Sequence, residues 1–138
     1  MDTPDPHLLN QRFARIAPAV NADAHLVHRG RTLTGALLVE IGDTPHLLRL
    51  EAGRIAAMER RFPLFQERLL TIRGSARAWQ ALWQPVPEPG WHDLFALTKR
   101  GEMQVEGRMH SFFAHLQYLK DVLEMPRHLP ASAQEGQP

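Results

Sequence analysis

The sequence alternates most cleanly between Gly101 and Gly107, where Glu102, Met103, Gln104, Val105 and Glu106 switch between polar and apolar at every step. That period predicts a strand with Met103 and Val105 on one side of a sheet and the carboxylates on the other. After Gly107 the period changes. Met109, Phe112, Phe113, Leu116, Leu119 and Leu123 recur at spacings of three and four, which predicts one apolar stripe along a long helix terminated by Pro126. Just upstream, His92 to Arg100 reads as a helix stopped by Gly101, as a left-handed C-terminal glycine stops one.

The preceding residues supply partners for this strand and helix. Leu8, Leu9, Phe13, Ile16 and Val20 predict a helix from Pro6 to Ala17, broken by Pro18, and a second short helix to about His28. Ala36 to Ile41, His46 to Ala52 and Arg54 to Arg60 are strand-length runs separated by Gly42-Asp43-Thr44-Pro45 and by Gly53, so they predict an antiparallel meander. A connection containing Pro63 leads to a strand from Leu69 to Gly74. Ser75 is a good N-cap for a helix from Ala76 to Gln84, which carries Trp79, Leu82 and Trp83 on one face. Pro85, Pro87, Pro89 and Gly90 then form a loop.

This order predicts the α+β class, with a mostly antiparallel sheet of about five strands and helices packed on one face. Residues 1–130 are expected to form one domain, with an N-terminal helical segment over 6–28. The tail 131–138 is small and polar and is expected to be disordered.

Composition narrows the partners by exclusion. Sixteen basic residues balance 15 acidic ones, so net charge points to no class of partner. The only basic clusters are Arg60-Arg61 and Lys99-Arg100, and acids are interspersed elsewhere, which argues against nucleic acid. Cysteine is absent, which excludes thiolate chemistry and fits a cytoplasmic protein. The N-terminal residues have no secretory pattern, and the longest unbroken aliphatic run, Ala36 to Val39, is far too short to span a bilayer. Stable membrane insertion is therefore not expected.

Candidate chemistry is sparse. His25 and His28 sit three apart, but nothing at a suitable spacing completes a ligand set, so neither a metal nor another cofactor is expected. His110 and His115 point in different directions on a helix. A small acid-base enzyme would have to use Asp93, His110 or His115, each more simply read as a cap or a solvated position. Nucleophile-elbow, phosphate-loop and dinucleotide fingerprints are lacking. A protein-interaction or accessory role would use Trp79 and Trp83 as an exposed patch, against the plainer reading that both pack on the sheet.

Taken together, Leu47-Leu48-Arg49-Leu50-Glu51-Ala52-Gly53-Arg54, Leu70-Thr71-Ile72-Arg73-Gly74-Ser75 with Trp79, Asp93-Leu94-Phe95-Ala96-Leu97, and the Gly101 to Gly107 strand with its trailing helix resemble the sterol carrier protein 2 superfamily of small lipid-binding domains. The likeness is one of order and pattern over roughly Leu33 to Met125. It implies an apolar tunnel that the C-terminal helix helps to line. Two features depart from the family. Only Thr98, Lys99 and Arg100 separate Leu97 from Gly101, where relatives carry a longer connection, and Arg108 stands where Asp commonly follows the second glycine.

The resemblance implies noncatalytic binding of a lipid, sterol or other apolar small molecule between sheet and C-terminal helix. The expected lining is Leu94, Phe95, Met103, Val105, Met109, Phe112, Phe113, Leu116 and Leu119, with Arg108 near a polar head group. Adaptable Met and Phe side chains suit irregular ligand-shaped space. Oligomeric state is left open, a homodimer among the options.

Overall fold

The computed structural model describes residues 3–62 and 67–129. The expected tail from Ala131 to Pro138 and the connection at Pro63 lie outside the described residues. Three helices open the chain, α1 (Pro6–Phe13), α2 (Ile16–Ala22) and α3 (Ala24–Arg29), where two were expected. Asp5 caps α1 by accepting from the His7 amide at 3.0 Å, and Pro6 takes the first helical position. Pro18 falls in the first turn of α2, where no intrahelical bond needs its missing N–H. It starts a helix rather than breaking one. Asp23 ends α2 and caps α3, its carboxylate accepting from Leu26 N at 3.1 Å.

The strands are β1 (Gly35–Ile41), β2 (Thr44–Glu51), β3 (Arg54–Glu59), β4 (Leu70–Gly74) and β5 (Met103–Gly107). They form one sheet in the order β3-β2-β1-β4-β5. Only the β1–β4 pair is parallel. The sheet is thus mixed and mostly antiparallel, and its first three strands are the expected meander. Leu50 pairs with Ile55 and Arg49 with Ala57, so Ala56 is the extra residue of a bulge. The turn between β2 and β3 is Ala52-Gly53, both at positive φ (50° and 86°), the geometry that lets two residues reverse a twisted hairpin.

The remaining helices are α4 (Ala76–Leu82), α5 (Leu94–Arg100), α6 (Met109–Ala114) and α7 (Leu116–Leu123), followed by a 3-10 turn over Met125–His128. Ser75 caps α4 through its hydroxyl, which accepts from Ala78 N at 3.1 Å. Gly101 closes α5 at φ 81°, with Glu102 N donating to Leu97 O and Gly101 N to Thr98 O. The expected single long C-terminal helix is two. His115 leaves the helical region (φ −119°), and both its amide and its Nδ1 contact Ser111 O at 3.1 Å. The ring competes with the backbone for the same carbonyl, and the axis breaks there.

Strand alternation puts Leu37, Val39, Ile41, Leu48, Leu50, Leu70, Ile72 and Met103 on one face of the sheet. They share a single buried cluster with Phe13, Trp79, Trp83, Tyr118, Leu119 and Leu123 from the helices. Phe13 stacks on Trp83 at 6.0 Å with an interplanar angle of 9°, and Trp79 tilts against Trp83 at 5.5 Å. Each indole N–H is satisfied, Trp79 by Glu40 O at 3.0 Å and Trp83 by Leu123 O at 2.8 Å. Both rings are therefore core, and they form no surface patch. On the opposite face Leu38 pairs with Leu47, both buried yet separate from that cluster.

Candidate functional site

The residues expected to line a cavity divide by depth. Leu94, Met103, Phe112 and Leu119 are buried in the main core. Val105 and Leu116 are half-buried and pack against it. Phe95, Met109 and Phe113 reach solvent, at 37%, 38% and 58% exposure, and Arg108 is exposed beside them in sequence. Neighbouring residues Phe112 and Phe113 thus point to opposite environments, one ring inside and one outside, in edge contact at 5.2 Å.

Chain order relates α5, β5 and α6. α5 and β5 run in opposite directions around Gly101 and pack together, so the start of α5, with Leu94 and Phe95, lies toward the Gly107 end of β5. There Gly107 abuts Leu69 and Leu70, where a Cβ would come within 2.4 Å of Leu69 O, and Arg108 N donates to Leu69 O at 2.9 Å. That junction launches α6 across the end of the sheet. At its far end His115 Nε2 meets Thr32 Oγ1 at 2.9 Å. α7 then returns over the core face, with Tyr118 bonded to the β2–β3 turn and Lys120 to the start of α5.

A polar junction that sequence reasoning missed fixes the ends of these helices. Lys120 Nζ lies 3.1 Å from Asp93 Oδ2. Arg127 donates to Leu82 O (2.6 and 3.0 Å) and to His92 O (2.8 Å), and contacts Glu124 Oε1 at 3.4 Å. One guanidinium thereby serves carbonyls near the end of α4 and the start of α5. Burial pushes the Glu124 carboxyl up to about 6, against the pull of Arg127. The signal available was a basic residue just after the last apolar helix, which is too common to be diagnostic.

The candidate acid-base groups hold structural positions. Asp93 caps α5, accepting from Ala96 N at 2.7 Å. Burial works to raise its pKa, but that amide and Lys120 outweigh it and hold the carboxyl below its ordinary value. His115 sits at the α6–α7 break, and His110 is exposed. The strongly perturbed histidine is instead His46. It is buried on β2, its Nε2 is 2.7 Å from Asn10 Oδ1, and Asn10 in turn donates to Pro6 O and Thr44 Oγ1. Burial, aided by the charge of Arg60, lowers its pKa to about 4. Among the described residues no cluster of three or more His, Asp or Glu has metal-binding geometry.

Three pockets lie elsewhere. One of about 220 Å³ is bordered by Asp23, His25, Arg29, Asp121 and Glu124 among others. Another of about 280 Å³ lies by Glu40, Asp43, Arg73 and Glu102, and a third of about 260 Å³ by Arg68, Thr71 and Glu106. None of the ten residues expected at the ligand site borders any of the three.

The chain has the sterol carrier protein 2 fold. It superposes on a conserved hypothetical protein of Thermus thermophilus described as possibly a sterol carrier protein, with 15% identity over 96% of this chain and 93% of that chain and a TM-score of 0.66. It matches a crystal structure of sterol carrier protein 2 with 16% identity, 88% and 95% coverage and the same TM-score of 0.66. A sterol carrier protein domain 2 of Helicoverpa armigera matches with 11% identity, 96% and 99% coverage and a TM-score of 0.60. At these identities the likeness is one of fold. No family model and no curated protein matches the sequence. No described helix is long and apolar enough to cross a membrane.

Proposed function

We propose that this protein binds a lipid or another apolar small molecule against β5 and the helices α5, α6 and α7, without catalysing its conversion. The observation that carries the reading is the gradation of the apolar side chains on α5, β5, α6 and α7 from buried to exposed. In this reading the buried Leu94, Met103, Phe112 and Leu119 make the inner wall, the half-buried Val105 and Leu116 the middle, and the exposed Phe95, Met109 and Phe113 the rim. Three large apolar groups exposed beside one stretch of core suit an entrance better than a finished surface.

The fold supports the same reading, since the structures that share it include proteins named as sterol carriers. Burying eight methylenes of an acyl chain would contribute roughly 6 kcal/mol before the costs of binding, enough for useful affinity without a dedicated polar contact. Arg108 stands at the rim to meet an anionic head group. Native mass spectrometry for co-purified lipid, with saturable displacement of a fluorescent fatty acid, tests the proposal. A protein that carries no lipid and gives no saturable displacement would refute it and leave the fold untouched.

A further inference from the structure

The two edges of the sheet are finished differently. On β3, Asn21 of α2 takes up both backbone groups of Ile55, donating to its carbonyl at 2.9 Å and accepting from its amide at 2.8 Å, and the bulge at Ala56 follows directly. An edge so covered offers little to another strand. β5, the other edge, has no such cover. Arg108 N donates to Leu69 O and Gly42 N to Gly74 O, each at 2.9 Å. The first bond makes Leu69 and Arg108 a hydrogen-bonded pair, so in the β4–β5 register Thr71 with Glu106 and Arg73 with Gln104 are bonded pairs too. The second turns the Gly74 carbonyl toward β1, away from its partner Met103. Both place the N–H and C=O groups of Met103, Val105 and Gly107 on the outer side of β5. Among the described residues no further strand and no hydrogen bond meets them there. β5 also has no Pro, Lys or bulge, the usual guards of an exposed edge. α5 packs on the core face of β5 through Leu94 and Leu97, which share the buried cluster with Met103.

The residues along this edge complement themselves. When two copies of β5 lie antiparallel about a two-fold axis through Val105, Met103 of one faces Gly107 of the other, and the outward backbone groups pair. On the wet face Glu102 then stands opposite Arg108, and Gln104 opposite Glu106. Sliding the pairing by two residues sets Glu102 against Glu106 in one direction and Glu106 against its own copy in the other. In the single chain Glu106 meets Arg73 at 3.0 Å and Arg108 meets Glu67 at 3.4 Å, exposed pairs that are weak and readily exchanged.

We infer that the open edge of β5 pairs with β5 of a second copy, so that two sheets join into one. A five-residue edge falls short of the roughly 800 Å² per partner of a permanent interface, so the dimer forms and separates with concentration. The pairing holds whether or not the chain takes an apolar ligand, and its test uses none.

Sedimentation velocity of the purified chain from about 10 μM to about 1 mM is expected to show monomer passing to dimer and nothing larger, because the β3 edges are closed. Val105→Pro removes an N–H that β4 does not use and is expected to abolish the dimer. Glu102→Arg sets like charges opposite each other at both ends of the pairing and is expected to weaken it about tenfold. Adding Arg108→Glu to that variant reverses the pair and is expected to restore the dimer. These charge variants decide the matter on their own should the proline variant fail to fold. A chain that stays monomeric over the whole range would overturn the inference. So would a dimer that Glu102→Arg leaves as strong as the parent's, one that the double variant does not restore, or an open-ended series of larger species.

Discussion

The hydroxyl of Tyr118, on the last helix, donates to the carbonyl of Gly53, 65 residues earlier at the tip of the β2–β3 hairpin, at 2.7 Å. The same ring fills the space over Gly30, where a Cβ would sit 2.4 Å from Cε1. One side chain thereby joins three distant parts of the chain. Burial pushes its phenol up to about 12. Tyr118→Phe leaves the Gly53 carbonyl unsatisfied in the interior and should cost about 1–3 kcal/mol in urea unfolding. Gly30→Ala should cost at least as much, because the ring it meets is fixed at both ends. An unaltered midpoint for both variants would contradict this account.

His46 and Glu124 should give opposite pH dependences. The His46 pKa is depressed in the fold to about 4, so its contribution is present above about pH 6.5 and is lost as pH falls toward 4. The shift corresponds to roughly 3 kcal/mol for this buried ring. Glu124 is raised to about 6. Its contribution is present below about pH 4.5 and is lost as pH rises through 6. Glu124→Gln should therefore raise stability at pH 7 relative to pH 4.5, by up to about 2 kcal/mol, and steepen the remaining acid loss. Thermal melts from pH 4 to 8 read both effects, and a Glu124→Gln profile parallel to that of the parent would exclude the second.

Phe112 and Phe113 separate packing from entry. Phe112→Ala removes a ring buried to 1% exposure and should cost about 3–5 kcal/mol of stability. Phe113→Ala removes one that is more than half exposed and should change stability by less than about 0.5 kcal/mol while weakening fatty-acid displacement severalfold. Equal melting temperatures for the two variants would show the split to be wrong.

Ala52 holds φ 50° without being glycine, a conformation that costs an L-residue about 1 kcal/mol. Its amide donates to Thr34 Oγ1 at 2.9 Å, so the turn is retained against that strain. Ala52→Gly should relieve the strain and raise stability by about 0.5–1 kcal/mol, less the extra entropy of the unfolded glycine. Ala52→Val should lower stability. Chemical denaturation of the pair decides the sign.

The sheet was legible because its signals are local. Period-two alternation, Gly53 and Gly107 at positive φ, and the Ser75 and Gly101 caps each act within a few residues. The break at His115 was not legible, because Met109 to Leu123 keeps a continuous helical stripe through it and only the ring's bond to Ser111 O separates the two halves. Pro18 misled for the converse reason, since a proline signals a first turn as readily as an end. At the site, pattern alone made Phe95, Met109 and Phe113 equivalent to Leu94, Met103 and Phe112. Depth distinguishes them, and depth depends on where α5 and α6 lie against β5, which no local spacing encodes.

The strand order has a consequence for how the molecule is made. β4 lies beside β1 rather than beside β3, and the core over β1 and β2 is closed by Tyr118, Leu119, Val122 and Leu123. As the chain leaves the ribosome, the meander of β1, β2 and β3 emerges with only the short helices α1–α3 available to pack on Leu37, Val39, Leu48 and Leu50, and the core over it is completed only when α4 and then α7 have been synthesised. Such long-range closure is slow, and the waiting apolar strands are open to wrong pairings. Production should therefore depend on chaperone capacity and synthesis rate more than the stability of the finished fold would suggest.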